Sequence, residues 1–410
     1  MTRHYVVPGR VELVGKHVDY AGGRSLTCAV DLVIEASATP LRESVIRVSD
    51  VGRRGVVEAP LRADAVRTSD TPGRGAYVVA VARRLARDFP HATTGVDLRL
   101  RSTLPASAGL SSSSALIVAI GTALVDANDL DHDPHWRDAV PDAISRAEYF
   151  GAMETGAAYR DFPGDEGVGV RGGAQDHVAI VCAEAESVGQ FAYLPARLER
   201  RVPWPTDYEL LIGVSGVTAT KTGNARARYN RASDATRALV RAWNADTARN
   251  DATLAAALAS GADAPARFER LAEQGVDDFP ATYLVPRLAQ FREEIDRIVP
   301  DVGDALRDRD FTTLGRLVDR SQELAEQALG NQIAETIHLA RTAREHGAVA
   351  ASAFGAGFGG AVWAMVRSGD AARVLDAWRG SYLARFPERA DAADFLRTRP
   401  SGPAREVAPA

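Results

Sequence analysis

Apolar and polar positions change period along this chain, and the changes mark its elements. Between 96 and 101, Val and two Leu alternate with Asp and Arg, the two-residue period of a strand with one face on a core. The β-branched runs 11–14, 27–38 and 45–48 predict further strands, as do 177–182, 190–194 and 209–214. Segments 76–88, 113–125 and 141–153 carry apolar residues at helical spacing. The second half changes character. There 223–246, 252–258, 265–273, 285–299, 312–327 and 332–345 read as helices, with strands expected at 348–352 and 361–366.

Three segments fit neither period. The charged run 197–205, ending in Pro203, Trp204 and Pro205, reads as a crossing between domains. Residues 156–173 combine glycines with charges and predict a flexible loop, either a surface insertion without consequence or a lid beside a site. Residues 400–410, rich in proline and small or polar side chains, predict a frayed tail. With 410 residues the chain exceeds the size at which one core keeps growing, so an α+β protein of two domains, 1–205 and 206–410, is expected.

Composition then removes function classes. Hydrophobic residues at 46% and charged residues at 25% are ordinary for a globular protein, and a net charge of −5 offers nucleic acid no basic face. No apolar run approaches the ~18 residues of a membrane span, and the first residues run straight into a strand, so no membrane partner and a cytoplasmic location are expected. Cys28 and Cys182 lie in apolar runs and read as buried small side chains.

Chemistry enters at residues 105–116, Pro-Ala-Ser-Ala-Gly-Leu-Ser-Ser-Ser-Ser-Ala-Leu, where a small-residue loop runs directly into an apolar helix. Small side chains let the backbone approach an anion, and the unpartnered N–H groups and dipole of a helix N-terminus favour negative charge. The same segment reads equally as a Ser-capped helix. It is not a Walker A loop, because no Gly-Lys-Ser/Thr follows the glycine.

Two other segments accompany it: Pro8-Gly-Arg-Val-Glu-Leu-Val-Gly-Lys-His-Val-Asp-Tyr-Ala-Gly-Gly23 and Phe354-Gly-Ala-Gly-Phe-Gly-Gly-Ala361. In this order the three resemble the motifs of the GHMP kinases (galactokinase, homoserine kinase, mevalonate kinase, phosphomevalonate kinase). The first, with His17, Asp19, Tyr20, Gly22 and Gly23, is similar to galactokinases in particular. The resemblance extends over about residues 8–366. It implies a two-domain GHMP kinase fold, with a ribosomal-protein-S5-like N-terminal domain, a helix-rich α/β C-terminal domain and the active site between them. It also implies ATP and Mg²⁺ as cofactors, a small-molecule sugar as substrate, phosphorylation at the anomeric hydroxyl, and a monomer or weak homo-oligomer.

Residue by residue, the resemblance makes Pro105, Ser107, Gly109, Leu110, Ser111, Ser112, Ser113 and Ser114 the nucleotide cradle, with Gly357 from the third motif beside it. Ser113 and Glu148 take the metal, with Glu154 as a rival to Glu148. Asp176 is the catalytic base and Arg10 its partner. Lys16, His17, Asp19, Tyr20, Gly173 and Tyr229 fall at the sugar. Lys16 stands where galactokinases carry the Glu that binds the C6 hydroxyl, and Glu12 stands where they carry Asn. An ammonium there inverts both charge and hydrogen-bonding sense, so the expected substrate is a hexose altered at or near C6, such as a uronic acid. The alternatives are an ordinary galactokinase, in which Lys16 pairs with Glu12 or turns outward, and a non-catalytic protein that senses sugar and ATP.

Overall fold

The computed structural model describes residues 1–52, 55–66, 73–105, 109–218 and 223–408. Its strands are β1 (Arg3–Val14), β2 (Arg24–Leu41), β3 (Val45–Asp50), β4 (Val56–Pro60), β5 (Gly95–Ser102), β6 (Ser187–Ala192), β7 (Arg197–Pro203), β8 (Tyr208–Val214), β9 (Ala350–Ala353), β10 (Ala361–Arg367), β11 (Asp394–Thr398), β12 (Pro400–Ser401) and β13 (Arg405–Val407). The first-half helices are α1 (Arg74–Asp88), α2 (Ser112–Ala127), α3 (Pro134–Ala139), α4 (Ala143–Thr155) and α5 (Gln175–Val181). The second half holds α6 (Gly223–Thr247), α7 (Leu254–Leu258), α8 (Ala264–Gln274), α9 (Ala281–Glu293), α10 (Val299–Arg307), α11 (Phe311–Leu324), α12 (Ala334–Glu345) and α13 (Ala371–Arg385).

Among the described residues, nine strands form one sheet on the path β13-β1-β2-β5-β3-β4, with β6 and β12 also on β2 and β7 on β6. Every pairing in it is antiparallel except β3 with β5. The other four strands form the sheet β11-β8-β10-β9. Helices α1, α2 and α4 cover the first sheet with a continuous apolar core through Val11, Leu98, Ile117 and Phe150. A second core joins Val18 and Tyr20 of the first motif to α6, α8 and α9 through Trp243, Phe268 and Phe291. The first motif therefore lies where the two halves meet.

Four expectations are corrected. Residues 177–181 belong to helix α5, with Cys182 as its C-cap, and not to a strand; a short apolar run such as His-Val-Ala-Ile-Val-Cys fits a buried helix or a buried strand equally, and periodicity cannot separate them. The run 197–205 is mostly strand β7, paired antiparallel with β6. Its arginines mark an edge strand, where charge blocks further pairing, and the chain passes from the first sheet to the second between β7 and β8. The tail is ordered into β12 and β13, which pair with β2 and β1, so the chain's end supplies partners for a backbone edge. Loop 156–173 is fastened down, because two aromatics outweigh its glycines. Tyr159 and Phe162 are buried against Tyr149 and Phe89, the Tyr159 hydroxyl donates to the carbonyls of Ala139 and Ser145, and Arg84 and Arg87 donate to loop carbonyls.

Candidate active site

Strand β1 delivers two side chains to one cavity, because residues two apart share a strand face. Arg10 and Glu12 both line it, together with Asp19, Glu154, Asp176 and Tyr229. Gly9 makes the approach possible: a Cβ there would lie 2.5 Å from Leu104 Cδ2 and 2.9 Å from the Leu110 carbonyl. With glycine in place, the Arg10 N–H donates to the Leu110 carbonyl at 3.2 Å, so the first motif and the Ser-rich loop are joined backbone to backbone.

At one end of the cavity Arg10, only 3% exposed, donates from Nε to Asp176 Oδ1 at 2.7 Å, and its Nη2 lies 2.7 Å from the same oxygen. Its Nη1 donates to the Gly109 carbonyl at 2.5 Å. Asp176 stands in the first turn of α5, where a helix favours a carboxylate. Its Oδ2 accepts from Ser111 Oγ at 2.6 Å and from Ser114 Oγ at 3.5 Å. Ser111 caps α2 in a left-handed conformation, φ 58°. Ser112 and Ser113 are half-buried in the first turn, while Leu110 and Ser114 are buried. Gly355 of the third motif lies against Gly109, whereas Gly357 packs on Asn331. Pro105 is half-buried before the cradle, and Ser107 lies outside the described residues.

The carboxylate beside the cradle is Glu154, not Glu148. The two are six positions apart on α4 and so point about 120° apart around the helix axis. Glu154 accepts from Ser114 Oγ at 2.8 Å and Ser113 Oγ at 3.5 Å, and its Oε2 is 3.4 Å from His177 Nε2. Glu148 instead accepts from the Ala196 N–H at 2.6 Å. The long connection before Asp176 had hidden which glutamate held the position.

At the other end, His17, Asp19, Gly173 and Tyr229 line the cavity. Burial and the neighbouring Arg287 push the His17 imidazole down to about 3, so it is neutral at pH 7. Its Nδ1 lies 3.1 Å from the Tyr20 hydroxyl and its Nε2 3.2 Å from the Ala356 carbonyl. Asp19 is pushed up to about 6 by burial and by Asp176. Gly173 is required there, since a Cβ would sit 2.5 Å from Asp19 Oδ2. The Tyr229 ring leans on His17 with centroids 5.0 Å apart.

Two expected sugar ligands are placed elsewhere. Tyr20 is buried beneath the cavity, its hydroxyl accepting from Arg287 at 3.2 Å, and it positions His17. Lys16, 1% exposed, sends its Nζ to Ser321 Oγ at 2.8 Å; Ser321 in turn donates to Glu294, which also accepts from the Gly15 N–H. The chain turns at Gly15, φ 98°, between β1 and Lys16, and this carries the ammonium toward α9 and α11. Lys16 is absent from the cavity lining, and Glu12 occupies it. Burial pushes Glu12 up to about 7, against the opposing pull of Lys16 and Arg10. Among the described residues that line the cavity are four carboxylates, Glu12, Asp19, Glu154 and Asp176, against one guanidinium, Arg10. Gln175 also lines it and escaped the sequence reading; its place beside Asp176 was the available signal.

Residues 76–152 match the GHMP kinases N-terminal domain, 304–384 the GHMP kinases C-terminal domain, and 3–40 the galactokinase galactose-binding signature. A galactokinase of Lacticaseibacillus paracasei is 25% identical over 91% of this chain and 87% of its own length. One of Chloroflexus aurantiacus is 36% identical over 29% of this chain, a match covering 30% of that protein. In three dimensions, the galactokinase of Lactococcus lactis complexed with galactose superposes with a TM-score of 0.79, covering 99% of this chain and 95% of that one at 19% identity. The mevalonate kinase of L. major superposes with a TM-score of 0.58 over 97% of this chain and 96% of its own, at 16% identity.

Proposed function

Since the chain belongs to the GHMP kinases and is galactokinase-like within them, we propose that it transfers the γ-phosphoryl group of ATP to the anomeric hydroxyl of a neutral hexose of the galactose type. The observation that carries this reading is the Arg10–Asp176–Ser111 constellation at the N-terminus of α2, facing a carboxylate-lined cavity. The anomeric hydroxyl sits against Asp176, which takes its proton as the oxygen attacks the γ-phosphorus and ADP leaves. Arg10 orients Asp176 and sets positive charge beside the transferring group. Transfer of this kind is mostly positioning and electrostatic stabilisation, which such a pre-bonded cluster supplies. The first-turn N–H groups of α2 and the hydroxyls of Ser112 and Ser113 hold the phosphates.

Hydroxyl and carboxylate oxygens next to a phosphate cradle suit Mg²⁺, which takes one or two protein ligands and completes its shell with phosphates and water. Ser113 and Glu154 are the residues that would hold it. Bound there, it neutralises phosphate charge during transfer.

Sugar hydroxyls donate well to carboxylates, and Asp19 and Glu12 present them. A uronic acid meets four carboxylates in this cavity, while the ammonium of Lys16 is occupied on Ser321. The C6-anionic substrate thus loses the observation that favoured it, and a galactokinase-type substrate is preferred. An ADP-release assay with Mg·ATP and a panel of galactose, glucose and galacturonate tests this. Turnover of galactose at least tenfold above galacturonate is expected. Release of ADP with none of the neutral hexoses, or faster release with galacturonate, overturns the proposal.

A further inference from the structure

Two acceptor oxygens in the cavity wall have no protein donor among the described residues. Glu12 is 3% exposed and Gln175 5%, and both line the cavity. Gln175 Nε2 donates to Glu12 Oε2 at 2.5 Å, which fixes the orientation of both groups, because a reversed amide would set oxygen against oxygen. That bond satisfies one carboxylate oxygen and leaves Glu12 Oε1 and Gln175 Oε1 buried and unpartnered. A buried acceptor without a donor is costly, and two of them on bonded neighbours at one cavity call for a ligand that supplies hydroxyls. His17, by contrast, has protein partners on both ring nitrogens.

We propose that Glu12 and Gln175 form a hydroxyl-binding clamp for the sugar, and that Glu12, placed by the alternation of β1 on the same face as Arg10, is the residue that selects the sugar at a position other than C1. The inference rests on the proposed sugar-kinase reading. Lys16 contributes nothing to selection in this account, since its Nζ is spent on Ser321. Gln175 holds Glu12 in register, so the pair acts as one unit.

Kinetics of wild type, Glu12→Gln and Gln175→Met on galactose and its 2-, 3-, 4- and 6-deoxy forms tests this clamp. In E12Q the amide keeps its bond with Gln175 while an NH₂ replaces the accepting oxygen. Loss of a charge-assisted hydrogen bond corresponds to about tenfold to hundredfold in sugar affinity. The KM for galactose is expected to rise by that factor, well beyond any change in kcat or in the KM for ATP. The penalty that the wild type imposes on one particular deoxy sugar is expected to vanish in E12Q. Q175M is expected to weaken the same discrimination by a smaller factor, and it decides the matter if E12Q fails to fold. An active wild type whose deoxy-sugar pattern survives in the folded variants overturns the clamp alone. A wild type active on no sugar removes the kinase reading and the clamp with it.

Discussion

The two ends of the cavity are built to different rules. At the transfer end, Arg10, Asp176, Ser111, Ser114 and Glu154 bond to one another, and the network stands complete before any substrate binds. At the proposed sugar end, Glu12 and Gln175 carry acceptors that no group among the described residues satisfies, and Asp19 and Glu12 are both pushed above the usual carboxylate range. In the proposed function the first end is preorganised for charge that develops during reaction, and the second is completed by the sugar. On that proposal chemistry depends on geometry fixed by the fold, and selectivity depends on acceptors that the sugar's hydroxyls satisfy.

Disrupting the transfer end should have the largest effect. Asp176→Asn removes the proton acceptor while keeping shape, and kcat is expected to fall by about 10³-fold with sugar binding retained, a split that steady-state kinetics with calorimetry can read. Next come the two glutamates of α4. Glu154→Gln should lower the rate about tenfold to hundredfold and raise the Mg²⁺ concentration needed for half-maximal activity, whereas Glu148→Gln should leave that concentration unchanged. Equal effects of the two would dissolve the assignment.

Lys16→Met tests whether the ammonium belongs to the sugar end at all. It leaves Glu294 buried beside an empty position, and destabilisation of about 3 kcal/mol is expected in chemical denaturation. The preference for galactose over galacturonate should stay the same; a shift in that ratio would return Lys16 to the sugar.

The smallest effect is on pH. Glu12 and Asp19 accept hydrogen bonds most strongly as carboxylates, so kcat/KM for the sugar should climb as pH rises through about 6 and about 7, the values of Asp19 and Glu12. Stability without sugar runs the other way. Between the usual carboxylate range and those values the native chain keeps protons that the unfolded chain has released, so these two groups make stability decline as pH rises through that window. Thermal melts from pH 4 to 8 should show the decline shallower in E12Q.

Much of the transfer end was legible in the sequence, because its chemistry demands residue types in fixed local patterns. The small-residue loop feeding a helix is readable in line, whereas Arg10 and Asp176 were reached only through the resemblance of their motifs to a family. The sugar end was less so, since it depends on where side chains go after a turn. Position 16 looked like a cavity residue until the turn at Gly15 carried its side chain toward Ser321. Glu154 could not be separated from Glu148 without knowing the rotation of α4 against α2. The tail at 400–407 read as frayed because edge pairing is a backbone property that composition does not record.

The most direct test of the central claim is phosphorus NMR of the product formed from Mg·ATP and galactose, with wild type and D176N side by side. The account predicts a sugar 1-phosphate with wild type and almost none with D176N, which still binds the sugar. Phosphate on another hydroxyl, or D176N matching the wild-type rate, would contradict it.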